Sequence, residues 1–513
     1  MKTIITFLMF TLCFYFAKAQ VPAIQWQKAL GGTADDFGYA IQTTPDGGYV
    51  VAGSSSSTNG DVTGNHGGKD YWVVKLNAVG NLQWQKSIGG SNNEEARAIQ
   101  TTSDGGYIVV GYSLSTNGDV TGNHGNEDYW VVKLDATGNM QWQKSLGGSG
   151  ADIAYSVQST SDGGYLVAGN SISNNGNVTG NHGFTDYWVV KLNSLGDIQL
   201  QKTFGGSGFD HAFSIVTTSD GGFVVAGDSN SLDSDVTGNH TSQDFWIVKL
   251  DSAANIQWQK SLGGYNADIA YGIQVSTDGG YLVAGKGGST DGDITASHGF
   301  SPDYWVVKLD NSGNLQWQKS LGGTNYEQAQ TLRATSDGGC VVGGYSYSTD
   351  GDVTGNHGNY DYWIVKLDAS GNLQWQKSLG TILNDTANSI QTTADGGYVV
   401  AGYTNGGGGD VTGNHGFTDY WVVKLAPDVL DISVGEKTSL VIYPNPVCDV
   451  LQIQNPNNIT IKSAKVIALN GKVVYEEIIQ NTNTIHVENL AKGVYILEVY
   501  SGEEKYVSKF VKE

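Results

Sequence analysis

Residues 152–204 read DIAYSVQSTSDGGYLVAGNSISNNGNVTGNHGFTDYWVVKLNSLGDIQLQKTF, and their reading decides the fold. Four strand-like runs stand out: IAYSVQST, GYLVAGNS, DYWVVKLN and DIQLQKTF. Each is rich in aromatic and β-branched residues, and Gly, Asn, Asp and Ser fill the gaps between them. The Asp162-Gly163 pair predicts a two-residue hairpin with positive φ at both central positions. In the preceding unit, KLDATGNMQW predicts a short hairpin with Gly138 in the left-handed region. No run carries a sustained helical period, so the unit is all-β.

Working outward, the same unit recurs seven times. Asp-Gly-Gly appears at Asp46, Asp104, Asp162, Asp220, Asp278, Asp337 and Asp395, at spacings of 58 or 59 residues. DYWVVKL or a close variant starts at Asp70, Asp128, Asp186, Asp244, Asp303, Asp361 and Asp419. QWQK is centred on Trp26, Trp84, Trp142, Trp258, Trp317 and Trp375, with Leu200 in the remaining copy; the last two segments together hold all 13 tryptophans. A β-helical solenoid would need rungs of roughly 20–25 residues and atypical polar end caps. Seven copies of a four-stranded repeat of ~58 residues instead predict a seven-bladed β-propeller over residues 20–426. The array opens on a lone QWQK strand and stops after DYWVVKL at Leu425. The strand around Trp26 is therefore expected to pair with the strand holding Trp421, closing the ring and removing its edges.

Composition agrees with a packed, acidic protein. Of 513 residues 39% are hydrophobic and 11% aromatic, which excludes a disordered chain. There are 28 Lys+Arg against 50 Asp+Glu, a net charge of −22 that repels phosphate backbones, so nucleic acid is not an expected partner. Residues 1–19 read as a signal peptide: Lys2, an apolar run from Ile4 to Phe16, then Ala17-Lys18-Ala19 before Gln20. That run is too short to span a bilayer, and no transmembrane segment is expected in the mature chain. Cys340 and Cys448 remain after Cys13 is removed, and they form no disulfide framework or metal-type spacing. Residues 427–437 read as a linker. From 438 to 513 the runs VLQIQ, ITIKSAKVIAL, KVVYEEII, GVYILEVY and KYVSKFV predict a small Ig-like β-sandwich.

Two resemblances follow from these residues. The segments DGGYLVAG and DYWVVKLDATGNMQWQKSLGG resemble the delta-sixty-type β-propeller repeat of secreted bacterial proteins, over residues 24–425. The D-x-x-G-x-x-x-W portion is also similar to the tryptophan-docking motif of quinoprotein propellers. Their cofactor residues, vicinal cysteines and calcium ligands have no counterpart here, so this likeness implies fold and not activity. The tail resembles the C-terminal sorting domain of the type IX secretion system of Bacteroidetes. The matching residues are Tyr443-Pro444-Asn445-Pro446, Leu469-Asn470-Gly471, Gly493-Val494-Tyr495 and Lys509-Phe510-Val511-Lys512. The resemblance implies passage through an outer-membrane translocon, cleavage by a sortase and attachment to surface lipopolysaccharide. The expected location is thus secreted or on the outer surface of a Gram-negative bacterium.

Candidate chemistry is sparse. Fourteen of the propeller's 18 basic residues sit at Lys75, Lys28 and their equivalents, expected to form a solvated belt on the outer strands. His66, His124, His182, His240, His298, His357 and His415 occupy one loop position. Rotation about a ring keeps such copies apart, so each is expected to bond the aspartate four residues on rather than share a metal. WD-repeat propellers are similar in using a structural His–Asp pair. The departures from symmetry (Arg97, Leu200, His211, Arg333, Cys340) form no nucleophile–base spacing, although His211 stands beside Asp210.

An acid precedes the innermost strand in every unit: Asp36, Glu94, Asp152, Asp210, Asp268, Glu327 and Asp385. Asp61, Asp119, Asp235, Asp293, Asp352 and Asp410 join them from the loop before DYWVVKL, with Asn177 in the remaining unit. These carboxylates are expected to crowd one face, read as a candidate ligand surface. Oxygen-rich sites suit calcium, the one cofactor considered, while the competing expectation is that each acid caps its own loop. Three functions stand: a non-enzymatic surface module that binds glycan or protein, a carbohydrate-active hydrolase or lyase, and a structural envelope protein without a ligand.

Overall fold

The computed structural model describes residues 18–428, 430–431, 441–454, 461–468, 472–478, 483–501 and 504–513. Most of the expected signal peptide, most of the linker and the sorting-motif residues Leu469, Asn470 and Gly471 lie outside the described residues. The chain is all-β and divides into two compact units, one covering Gln20–Val429 and one built on Leu430–Glu513. In the latter, Leu430–Asp431 pair with Lys18–Ala19.

Within Gln20–Val429 each repeat folds into one four-stranded antiparallel sheet. In the first blade the strands run Asp36–Thr43, Tyr49–Ser55, Asp70–Leu76 and Leu82–Ile88, from the innermost outward. Six blades are continuous in sequence. The seventh takes its outer strand from the N-terminus: Ile24–Leu30 pairs with Asp419–Leu425, with Ala29 opposite Trp421. The ring is closed.

The third strand, DYWVVKL, is buried along its whole length in every blade but the third, where Lys191 is half-buried, because adjacent blades cover both of its faces. Tyr71 packs 4.6 Å from the Trp130 ring of the next blade, and its hydroxyl donates to the Trp130 carbonyl at 3.0 Å. The same contact passes from blade to blade until the Tyr420 hydroxyl donates to the Trp72 carbonyl at 2.8 Å. Phe245 keeps the ring contact to Trp305, at 4.5 Å, without the hydroxyl. Each of these seven tryptophans is fully buried. Truncating one such side chain costs about 3–5 kcal/mol.

Two sequence expectations change. The Asp-Gly-Gly hairpin is not a two-residue turn: the Gly47 N–H donates to the Thr44 carbonyl, and only Gly47 has positive φ, at 78°. Asp46 accepts from the Gly48 N–H at 3.1 Å, so the aspartate closes a longer loop around a single left-handed glycine. Nor do the third-strand lysines form a solvated belt. Lys75 is buried and its ammonium donates to Asp46 at 2.8 Å and to the Leu76 carbonyl at 3.1 Å. Lys133, Lys249, Lys308, Lys366 and Lys424 repeat this pairing while buried, and Lys191 does so half-buried. The lysine and the turn aspartate lie at the same end of neighbouring strands, which gives the buried charge its partner.

The second unit holds a three-stranded sheet (Val441–Tyr443, Val450–Gln454, Thr484–His486) and a four-stranded one ordered Val473–Ile478, Ser463–Ala468, Gly493–Ser501, Glu504–Lys512. Leu451, Ile453, Val466, Ile485, Leu497 and Phe510 fill the space between them as a sandwich core. Of the described motif residues, those around Asn445 and Gly493–Tyr495 meet the last strand. Asn445 donates to the Lys509 carbonyl at 3.1 Å and accepts from the Val511 N–H at 2.9 Å, between Pro444 and Pro446. Gly493 pairs with Lys512, and Tyr495 packs 5.7 Å from Phe510. Among the described residues no helix is long and apolar enough to cross a membrane.

Candidate functional site in the central channel

The seven first strands surround a central channel with a cavity of about 1040 Å³. Their sequences are DFGYAIQT, EEARAIQT, DIAYSVQS, DHAFSIVT, DIAYGIQV, EQAQTLRA and DTANSIQT. The third strands, by contrast, are five copies of DYWVVKL with one DFWIVKL and one DYWIVKL. The first strands vary most at their second and fourth positions, and the fourth faces the cavity in every blade. The fourth position supplies Tyr39, Arg97, Tyr155, Phe213, Tyr271, Gln330 and Asn388 to the wall, and the seventh supplies Gln42, Gln100, Gln158, Gln274 and Arg333. Tyr326, Tyr345 and Tyr360 add a second aromatic group to the lining, with Tyr345 and Tyr360 edge to face at 4.9 Å. The repeats differ at the fourth position in sequence, and two blades depart from glutamine at the seventh, so alignment of the seven units holds this signal, which a search for acids and histidines passes over.

On one side of the channel Arg97 stacks 4.5 Å from the Tyr39 ring centroid and 5.6 Å from that of Tyr155, and forms an ion pair with Glu95. Outside the residues that line the cavity, His211 Nδ1 lies 3.2 Å from Asp228, which also accepts from Gln243 at 2.8 Å. His211 thus pairs with Asp228 and not with the adjacent Asp210. Burial lowers the His211 pKa, and the bond to Asp228 with its charge outweighs that, leaving it above the ordinary histidine value.

The acids preceding the first strands are not an exposed ligand face. Asp36, Glu94, Asp152, Asp210, Asp268, Glu327 and Asp385 are all 0% exposed. Asp36 accepts from the Gly32 N–H at 2.8 Å and the Ser57 hydroxyl at 2.9 Å, and also from Ser55. The first strand starts between its own blade and the third strand of the preceding one, so the carboxylate is enclosed. A Cβ at Gly31 would stand 2.5 Å from both Asp36 and Asp419, which places two carboxylates across one blade junction and leaves room only for glycine. Burial is the main cause that raises Asp36 to about 6; its hydrogen bonds oppose the rise and the Asp419 charge adds to it. Seven such junctions exist. On the partner side, one oxygen each of Asp70, Asp128, Asp186, Asp244, Asp303, Asp361 and Asp419 is buried without a hydrogen-bond partner. Asp61 accepts from the Gly31 N–H at 3.2 Å, a loop-capping contact.

The other oxygen of each partner acid belongs to the histidine loop. His66 Nδ1 lies 2.6 Å from Asp70, and the His66 N–H donates to the same oxygen at 2.9 Å. His124, His182, His240, His357 and His415 make the same contact four residues on, and His298 makes it five residues on, to Asp303. Among the described residues no three His, Cys, Asp or Glu side chains converge as metal ligands.

The chain is 27% identical over 209 residues to the regulatory protein FlaEY of Caulobacter vibrioides, covering 37% of this chain and 22% of that protein. Among solved structures, the extracellular domain of the hybrid two-component system BT4673 from B. thetaiotaomicron is 10% identical with a TM-score of 0.42, covering 96% of this chain and 60% of that one. The WD40 domain of Neurospora crassa Pan2 is 11% identical with a TM-score of 0.43, covering 80% and 96%. The chain thus spans about a fifth of the curated relative and three fifths of the first of these structures. Residues 441–513 match the family described as a secretion system C-terminal sorting domain, which marks the chain for export to the cell surface or exterior.

Proposed function

We propose that the propeller is a non-enzymatic surface module that holds a glycan in its central channel. One observation carries this reading: blades nearly identical in their third strands differ at the fourth position of the first strand, which lines a 1040 Å³ cavity in every blade. Repetition serves the ring, and unlike residues serve a ligand. Aromatic rings interleaved with amides suit a polyhydroxylated ligand, since the rings cover its apolar faces and the amides both donate and accept. The Tyr271→Ala/Tyr345→Ala double variant is expected to lose at least tenfold in affinity for the best ligand of a glycan array, with an unchanged melting temperature. Retained binding would move the site off the channel.

In this reading the tail hands the chain to a type IX translocon and its sortase, leaving the propeller on surface lipopolysaccharide. Deleting residues 438–513 is expected to hold a folded propeller in the periplasm. Normal surface levels of the truncated chain, by fractionation, would refute that route.

A further inference from the structure

The chain contains only two arginines, Arg97 and Arg333, and both line the channel. In a protein of net charge −22, that places its two most persistent cations at one site. They differ in how their charge is met. Arg97 is neutralised by Glu95 and covered by Tyr39 and Tyr155. Arg333 donates from Nε to Gln391 at 2.8 Å and from Nη1 to the Leu332 carbonyl at 3.5 Å, both neutral acceptors. Among the described residues it has no carboxylate partner. Burial lowers its pKa to about 10, so the guanidinium stays charged at neutral pH.

Its surroundings form a belt. At the seventh position of the first strand the other blades carry Gln42, Gln100, Gln158, Gln274 and Gln391, with Val216 in the fourth. Gln100 donates to Gln158 at 3.0 Å, and Gln391 to the Ile41 carbonyl at 2.9 Å, so the belt is partly tied down. One unmatched cation in a ring of amides is costly unless an anion meets it, and the guanidinium fork fits a carboxylate through two parallel bonds. The long-range field of the chain opposes anions, which leaves Arg333 as a local exception that favours one anionic group on an otherwise neutral ligand.

We propose that the channel binds an acidic glycan and that Arg333 seats the carboxylate of a uronic acid residue. This rests on the channel being the ligand site. The full chain is titrated with fragments of galacturonan, alginate and hyaluronan, each beside its carboxyl-reduced form. At least one uronate fragment is expected to bind tenfold or more tighter than its reduced form. Arg333→Gln, which installs the residue of five other blades, is expected to erase that preference. No preference in the wild type, no binding of any uronate fragment, or a preference that survives Arg333→Gln overturns the proposal. So does selective binding of a sulfated galactan or of a peptide C-terminus in place of uronate. If neutral glycans bind, and Tyr271→Ala/Tyr345→Ala abolishes that binding while uronates gain nothing, the channel reading stands and the carboxylate assignment falls. If the tyrosine variant binds every fragment as the wild type does, both fall.

Discussion

Removing Ile24–Leu30 is expected to destabilise the propeller by about 3–5 kcal/mol, because Ala29 and Leu30 are buried, Trp26 is half-buried and a strand edge is uncovered. The strand does more than fill space. It pairs with Asp419–Leu425, its Gln27 accepts from the Trp421 indole at 2.9 Å, and Trp26 packs 5.5 Å from Tyr49 of the first blade. Without it, the third strand of the last blade becomes an open edge and Trp421 loses the acceptor for its N–H. All 13 tryptophans lie between Trp26 and Trp421, so fluorescence during denaturant unfolding of the full chain reports on the propeller alone. An unchanged midpoint would mean that the ring holds without its closing strand.

Acidification from pH 7.5 to about 5 is expected to raise the melting temperature, by at least about 5 °C. The sign follows from the seven blade junctions. Burial raises Asp36, Asp210, Asp244 and Asp385 to about 6 from 3.8 in the unfolded chain. Between those values the folded state holds protons that the unfolded chain releases, so stability grows as pH falls through 6 and is fully present below 3.8. Each group contributes on the order of 2–3 kcal/mol. The turn aspartates act the other way. Asp46, Asp104, Asp278 and Asp395 are lowered to about 2, chiefly through their lysine, hydroxyl and backbone hydrogen bonds acting against desolvation. Their contribution is present above 3.8 and is lost as pH drops toward 2. Maximum stability therefore falls near pH 4–5. Melting curves between pH 3 and 8 test this, and a flat or falling melting temperature from 7.5 to 5 would sink it. Asp210→Asn, which removes one of the crowded charges, is expected to raise stability at pH 7.5 and to flatten the profile.

The sequence by itself determined the ring: a 58-residue period, four β-rich runs per period, seven copies and a phase that leaves a lone strand at the start and a three-stranded unit at the end. Strand pairing within a blade joins residues close in sequence, and closure follows from counting, so both are legible without coordinates. The sorting tail was legible for another reason, because each of its motifs is a short contiguous run of residues. Partners across blades were not. Asp36 meets Asp419, and Tyr420 meets Trp72, only when the chain has come full circle. Burial of the acids therefore belongs to the junction and not to the repeat.

The channel wall is the sharpest case. Simple alternation along a strand would put the second, fourth, sixth and eighth residues on one face. In the first blade the pairing register shifts between Gly38 and Ala40, and every other first strand shifts at the same place. This bulge inserts the fourth residue as an unpaired extra and transfers the face to the seventh. Tyr39 and Gln42 consequently share the wall, as do Gln330 and Arg333. Only the tertiary structure could decide that Arg333 reaches the cavity, because the bulge, and not the hydrophobic pattern, sets which side of the strand looks inward.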